Sequence, residues 1–189
     1  RARFEVMLEL IRAALDLREF VVLPVSPVNW GETWKANFPP LRIGKRLVLK
    51  PSWAEFETSS GDVVVNIDPR MAFGTGHHPT TRLCLEMLES LGRPGPRVLD
   101  VGTGSAVLAL AAIELGAEKV VALDNDSEAV REATENASRA GLHDRLLVVE
   151  GGLPHELVIS GTFELAMANI TVHVVDLILG EMADVILPG

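Results

Sequence analysis

The sequence predicts a doubly wound, mostly parallel α/β sheet. Segments with strand and helix patterns alternate from Thr80 to Leu187, the spacing of parallel strands joined by right-handed crossovers. One predicted strand, Arg97–Val101, runs straight into Gly102-Thr103-Gly104. The missing Cβ atoms of such a turn let a ligand approach the backbone closely. Asp124 ends the next strand, 22 residues after Gly102, where a doubly wound sheet sets a carboxylate beside its switch-point crevice.

Element by element, apolar residues at helical spacing predict a helix over residues 4–17, and a β-rich run over 20–25 stops at Pro24 and Pro27. This helix–strand piece is too short to fold alone. Residues 30–38 predict a short helix or linker ended by Pro39 and Pro40. Residues 46–50 and 63–67 read as strands, with Ser59-Ser60-Gly61-Asp62 as the turn between them. A helix over 80–91 carries Leu83, Met87, Leu88 and Leu91 on one face. After the strand at 97–101 come a helix over 105–115 ended by Gly116 and a strand over 119–123. Asp126 or Ser127 then caps a helix to Ala140, terminated by Gly141. Strands at 145–149 and 163–168, a helix over 171–183 and a strand starting at 185–187 complete the pattern.

Of the 189 residues, 48% are hydrophobic and 23% charged, enough for one sizeable α/β core plus a small appendage. The formal net charge of −9 disfavours non-specific binding to nucleic acid, whose phosphates repel it. A basic protein is the better partner, and no direct nucleic-acid contact is expected. No apolar run approaches the roughly 20 residues of a membrane helix, and no cationic segment followed by an apolar stretch opens the chain. No membrane partner is expected. Cys84 is the single cysteine, so an intrachain disulfide is impossible; a reducing cytoplasm is the expected location. A chain from Arg1 to Gly189 that does not begin with Met reads as a fragment.

The glycine turn and Asp124 together point to an adenosine-type cofactor, since a carboxylate there can accept both ribose hydroxyl hydrogens. A tight strand–helix turn with no ligand is the bland alternative. A dinucleotide fingerprint would need a third small residue at position 107, which is Val107; a nicotinamide oxidoreductase is disfavoured accordingly. Asp100 before Gly102 and Gly104 fits the methyltransferase pattern Asp-x-Gly-x-Gly-x-Gly instead, with Ala106 at the last glycine.

Upstream, Asp68-Pro69-Arg70-Met71-Ala72-Phe73-Gly74-Thr75-Gly76-His77-His78-Pro79-Thr80-Thr81 closely resembles the ribosomal protein L11 methyltransferase family, which trimethylates protein amino groups. The resemblance continues through residues 100–112, Asp124-Asn125-Asp126, Ala168-Asn169-Ile170, Trp34-Lys35-Ala36-Asn37-Phe38 and Pro51-Ser52-Trp53. It implies a class I methyltransferase (Rossmann-like) domain over 41–189 lacking its last strands. A β-hairpin precedes the sheet within that domain; before the domain come a linker over 30–40 and, at 1–29, the remnant of a small α+β substrate-recognition domain. It further implies S-adenosyl-L-methionine as cofactor. Thr81, Gly102, Gly104, Asp124 and Asn169 carry over as cofactor contacts, with Phe73, Gly74, Thr75 and Gly76 lining the methionine end. Arg70, Ala106, Glu164 and Thr171 depart from the family's Gly, Gly, Asp and Leu.

Asn169 ends a strand beside the glycine turn, the place where amino-group methyltransferases set an Asn. Its carboxamide orients an amine but cannot deprotonate it, which makes it the candidate catalytic residue; an alternative is a cap on the following helix. Phe73 is either core or an aromatic face near the sulfonium. Thr75 and Gly76, expected at a helix start, present N–H groups suited to a carboxylate. His77 and His78 lack the i, i+4 spacing of a helical metal pair, and no metal is expected. His143, His155 and His173 read as surface or cap residues. Trp30, Trp34 and Trp53 read as packing residues, and the charges over 126–139 as a solvated helix face. The expected function is methyl transfer to lysine or N-terminal amino groups of a large-subunit ribosomal protein. The alternatives are another methyl acceptor or an inactive cofactor-binding module.

Overall fold

The computed structural model describes Ile11, Lys35, residues 38–68 and residues 76–188. The chain divides into two compact units, Arg1–Trp34 and Lys35–Gly189. The helix expected at 4–17 falls outside the described residues apart from Ile11, as do the whole strand at 20–25 and most of the 30–40 linker.

Among the described residues the second unit contains two sheets. Strands β1 (Leu41–Ile43), β2 (Leu47–Lys50) and β3 (Val63–Asn66) form one, in the order β1-β2-β3. Strands β4 (Arg97–Val101), β5 (Lys119–Asp124), β6 (Leu146–Glu150) and β7 (Leu165–Ala168) form the other, in the order β6-β5-β4-β7 with every pair parallel. Helices α1 (Pro79–Ser90), α2 (Val107–Glu114), α3 (Ser127–Arg139) and α4 (Val172–Val185) follow β3, β4, β5 and β7. The chain is therefore α/β with a parallel sheet, as its alternating pattern predicts.

Helix α2 shows why the core forms where it does. Its residues Val107 to Ile113 are all buried, as expected of a helix that is apolar all round. It packs on β3 of the small sheet and on β4 and β5 of the large one. Period-two alternation sorts the large sheet's side chains between two cores. Val98 and Val120 join Leu49, Val65, Leu85 and Leu110 on the α2 side. Leu99, Val101 and Leu123 join Phe163 and Val185 on the other.

Several expectations require correction. The two strands around Ser59–Asp62 are not a hairpin, because β2 and β3 pair in parallel. The intervening stretch from Pro51 to Asp62 is about the dozen residues a crossover needs. The actual hairpin joins β1 to β2, antiparallel, and the sequence reading placed no strand at β1. On α1 the buried residues are Thr81, Leu85 and Leu88, while Leu83, Met87 and Leu91 are exposed. Both sets have helical spacing, so periodicity alone could not choose the core face. On α3 the ion pairs Arg131–Glu128, Arg131–Glu135 and Arg139–Glu135 do lie outside, but Glu132 and Asn136 on the same helix are buried.

Phe163, expected within a strand, instead makes an isolated parallel bridge to Ile186, and the N–H of Leu187 donates to its carbonyl at 2.8 Å. The strand expected at 185–187 does not form among the described residues: Val185 is the last residue of α4 and Ile186 makes only this bridge, so β7's only sheet partner there is β4.

One side chain ties α1 to the β1–β2 turn. The Glu89 carboxylate accepts the backbone N–H groups of Lys45, Arg46 and Leu47 at 2.7, 2.5 and 3.1 Å. Burial raises its pKa, but the three N–H donors and nearby Arg46 outweigh burial and leave it below the ordinary 4.5. A depressed carboxylate contributes stability that is present above its unfolded pKa and lost as pH falls through its folded value. Glu89→Gln is therefore expected to flatten the decline in stability below about pH 4.5. Denaturant midpoints at several acidic pH values check this; an unchanged slope would remove Glu89 from the acid response.

Candidate functional site

A parallel sheet brings the carboxyl ends of its strands to one edge. Here the order β6-β5-β4-β7 sets out a row: Gly151 and Gly152 after β6, Asp124 and Asn125 at the end of β5, Gly102 to Gly104 after β4, and Asn169 to Thr171 after β7. A cavity of about 590 Å³ runs along the row, with Leu153, Val174 and Ile178 as apolar walls and His78 and Thr80 from the start of α1. That volume suits a small organic ligand.

Hydrogen bonds stitch the row together. Gly102 and Thr103 both donate to the carbonyl of Leu123, at 2.8 and 3.0 Å, and Gly151 donates to the carbonyl of Asp124 at 2.8 Å. The Asp124 carboxylate accepts from the Gly104 N–H at 2.8 Å and from the Asp126 N–H at 3.0 Å. Each carboxylate oxygen has two lone pairs, so one on each remains for a ligand. Gly102 has φ +72°, and a Cβ there would sit 2.2 Å from Ile170 Cγ2. Both the backbone and the β7 loop thus require a glycine at this position.

Asp100 lies beneath the turn, 1% exposed. One oxygen accepts the Thr103 hydroxyl at 2.7 Å; the other has no hydrogen-bond partner. Burial lifts its pKa to about 6, with Asp124 adding to the shift and the Thr103 hydroxyl and Ala109 N–H opposing it.

At the β7 end, Asn169 Nδ2 donates to Thr81 Oγ1 at 2.8 Å. This leaves Oδ1 as an acceptor on a residue that lines the cavity. The helix-cap alternative for Asn169 fails, because the N-cap of α4 is Thr171.

Gly102, Gly104, Asp124 and Asn169 therefore share one cavity. Thr81 is fully buried behind Asn169. Gly76 is buried at φ +81° against Leu49, and it precedes the His78 N-cap of α1. Phe73, Gly74 and Thr75 lie outside the described residues. The sequence reading missed Asn125, Gly151, Gly152, Ile170 and Thr171 as lining residues. The strand-end argument that found Asp124 applies equally after β6 and would have found the two glycines. Trp53 is half-buried; its Nε1 donates to the Lys35 carbonyl at 3.3 Å, and the Lys35 ammonium sits 5.3 Å from its ring centre. His143 and His173 are exposed, and His155 Nδ1 accepts the Leu157 N–H.

The family model "Ribosomal protein L11 methyltransferase" matches residues 4–189. The chain belongs to this family. It is 44% identical to the ribosomal protein L11 methyltransferase of Chloroflexus aurantiacus, over 89% of this chain and 60% of that protein. It is also 44% identical to the Symbiobacterium thermophilum protein of the same name, over all of this chain and 62% of that one. The chain thus spans about three fifths of these relatives. The crystal structure of a ribosomal protein L11 methylase from Lactobacillus delbrueckii superposes with a TM-score of 0.67 at 31% identity, covering 80% of this chain and 76% of that one.

Within this family frame, the structure gives physical content to three of the departures. Ala106 is the one non-glycine residue with positive φ among those described, at 68°. The left-handed conformation costs an alanine roughly 1–2 kcal/mol, which explains why glycine suits the position. Glu164 accepts the Arg97 N–H at 2.7 Å, a contact between β4 and the start of β7. Thr171 caps α4. Arg70 lies outside the described residues.

The Asp100 carboxyl generates a prediction of opposite sign to that for Glu89. Because its folded pKa is raised from 3.8 to about 6, its contribution is fully present below the unfolded value and is lost as pH rises through about 6. The shift of roughly two pKa units corresponds to about 3 kcal/mol. Asp100→Asn keeps an acceptor for Thr103 and is expected to remove that slope between about pH 4 and 6. Urea titrations across the interval measure it, and a slope equal to wild type would show that Asp100 titrates normally.

Proposed function

We propose that the cavity takes S-adenosyl-L-methionine, with its ribose hydroxyls on Asp124, and serves methyl transfer to protein amino groups. The observation that carries this reading is the placement of Asn169 and Asp124 in one cavity on either side of the glycine turn. The residues present suit that donor: an ionisable carboxylate with free lone pairs at the β5 end, a glycine turn that admits close approach, and apolar walls. When bound, the donor supplies a methyl group on a positively charged sulfur. The protein's part is then alignment, which can account for many orders of magnitude in rate.

Asn169 Oδ1 accepts a hydrogen from the incoming amine and aims its lone pair. Thr81 holds the carboxamide in place by taking the opposite end. A carboxamide has no useful basicity, so the amine proton leaves to solvent. A lysine amine of pKa about 10.4 is neutral in about one molecule in 10³ at pH 7. Activity is therefore expected to rise from neutral to mildly alkaline pH.

Family membership supports a large-subunit ribosomal protein as the substrate, methylated on lysine or N-terminal amino groups. The net charge of −9 suits a basic protein partner. No helix among the described residues is long and apolar enough to cross a membrane, and we place the reaction in the cytoplasm. Mass spectrometry of such a protein after incubation with the chain and the donor is expected to show methyl additions confined to amino groups. Donor binding without any protein methylation would refute the substrate reading.

Asn169→Ala is expected to lower the single-turnover rate about a hundredfold, the size of a lost positioning contact, while S-adenosylhomocysteine affinity changes far less. Thr81→Val, which removes the hydroxyl that holds Asn169, is expected to cost about tenfold. Wild-type rates in both folded variants would remove Asn169 from the reaction.

A further inference from the structure

The Asn136 side chain does not line the cavity, yet its position touches the glycine turn. It lies on α3 and is 1% exposed. Its Nδ2 donates to the carbonyl of Ser105 at 3.0 Å, and its Oδ1 accepts the Asp68 N–H at 3.2 Å. Arg139 reaches the same oxygen at 3.5 Å. Asp68 is held in turn by Ser52, whose N–H and hydroxyl donate to its two carboxylate oxygens at 2.7 and 2.9 Å.

Ser105 lies between Gly104, whose N–H is on Asp124, and Ala106, whose backbone is left-handed. A strained residue keeps its conformation only where the surroundings over-determine it. Thr103 supplies one constraint, through its hydroxyl on Asp100 and its carbonyl, which accepts the Ala106 N–H at 2.9 Å. The Asn136 amide supplies another, from a different helix, on the peptide that leads into Ala106. A buried amide with both ends used is well suited to fix one backbone arrangement, because either alternative leaves a buried polar group unsatisfied.

With a ribose on Asp124 at the end of β5 and the transferred methyl at Asn169 after β7, as proposed above, the donor runs along the row with its base toward β6 and its amino-acid half at the turn after β4. We infer that Asn136 is a positioning residue for the donor's amino-acid half: it holds Ser105, and through it the glycine turn, in the shape that half requires. This inference rests on the adenosyl-donor reading above.

Two probes that share the adenosine test it. S-adenosylhomocysteine carries the amino-acid half, and 5′-methylthioadenosine lacks it. Asn136→Asp keeps the size of the side chain and the acceptor for Asp68, and replaces the donor to Ser105 with a carboxylate oxygen that repels the Ser105 carbonyl, with Arg139 beside its added charge. Asn136→Leu loses both bonds. In equilibrium binding to the full chain, each variant is expected to weaken S-adenosylhomocysteine about tenfold, the effect of one hydrogen bond, while 5′-methylthioadenosine stays within about twofold. Ser52→Ala, which loosens Asp68 without touching Ser105, is expected to leave the ratio of the two affinities at wild type. If Asn136→Leu does not fold, Asn136→Asp decides. A purely structural Asn136 would lower denaturation midpoints with the ratio unmoved, and that result overturns the inference, as does an equal loss for both ligands. If wild-type chain binds neither probe, the adenosyl reading itself fails and the positioning role fails with it. If wild type binds both and the ratio is unchanged in the variants, only the positioning role fails.

Discussion

At the end of β5, the two oxygens of the Asp124 carboxylate take the N–H groups of Gly104 and Asp126, and the residue's carbonyl takes that of Gly151. Three loops from three strands are thereby referenced to one residue. The glycine turn cannot drift from the sheet without losing a charge-assisted hydrogen bond, and the start of α3 and the loop after β6 are held to the same point. A carboxylate keeps spare acceptor capacity after two such bonds, so Asp124 can serve both the fold and a ligand. The same constraint explains why the cavity forms at this edge and extends both ways along it, toward the paired glycines after β6 and toward Asn169 after β7.

Two acids near one turn divide the work through burial. Asp124 is half-buried on the cavity wall, and Asp100 is almost completely buried beneath it. The charge on Asp124 adds to the desolvation that makes Asp100 hard to ionise. Asp100 accordingly acts inward, on the Thr103 hydroxyl, while Asp124 faces the cavity. On the far side of the turn, Ala106 accepts a left-handed backbone that would suit glycine better, and it is surrounded by contacts that leave it little alternative. A strained position of this kind beside a binding turn is a common feature of functional sites.

Much of this was legible in the sequence, for identifiable reasons. The parallel sheet followed from strand–helix alternation, and the turn and Asp124 from their spacing, because both features are local. The pairing of β2 with β3 was not legible, since a Ser-Ser-Gly-Asp turn signal says where the chain bends and not which edge it returns to. The exposed Leu83, Met87 and Leu91 on α1 follow the same helical period as its buried face, so only tertiary contacts separate them. Asn169 was visible as a strand-end residue, but its bond to Thr81 joins residues far apart in sequence. Asn136 was hidden for the same reason: its partners, Ser105 and Asp68, lie in other elements.

The central claim is that an adenosyl methyl donor lies along the strand ends from β6 to β7, with its ribose over Asp124. Amide NMR of the labelled chain during titration with S-adenosylhomocysteine tests it most directly. The account predicts the largest shifts at Gly102 to Gly104, Asp124 to Asp126, and Gly151 and Gly152, with β1 to β3 little affected and NAD producing no comparable change. Shifts at those amides with NAD and none with S-adenosylhomocysteine would contradict it, as would S-adenosylhomocysteine shifts centred on another part of the molecule.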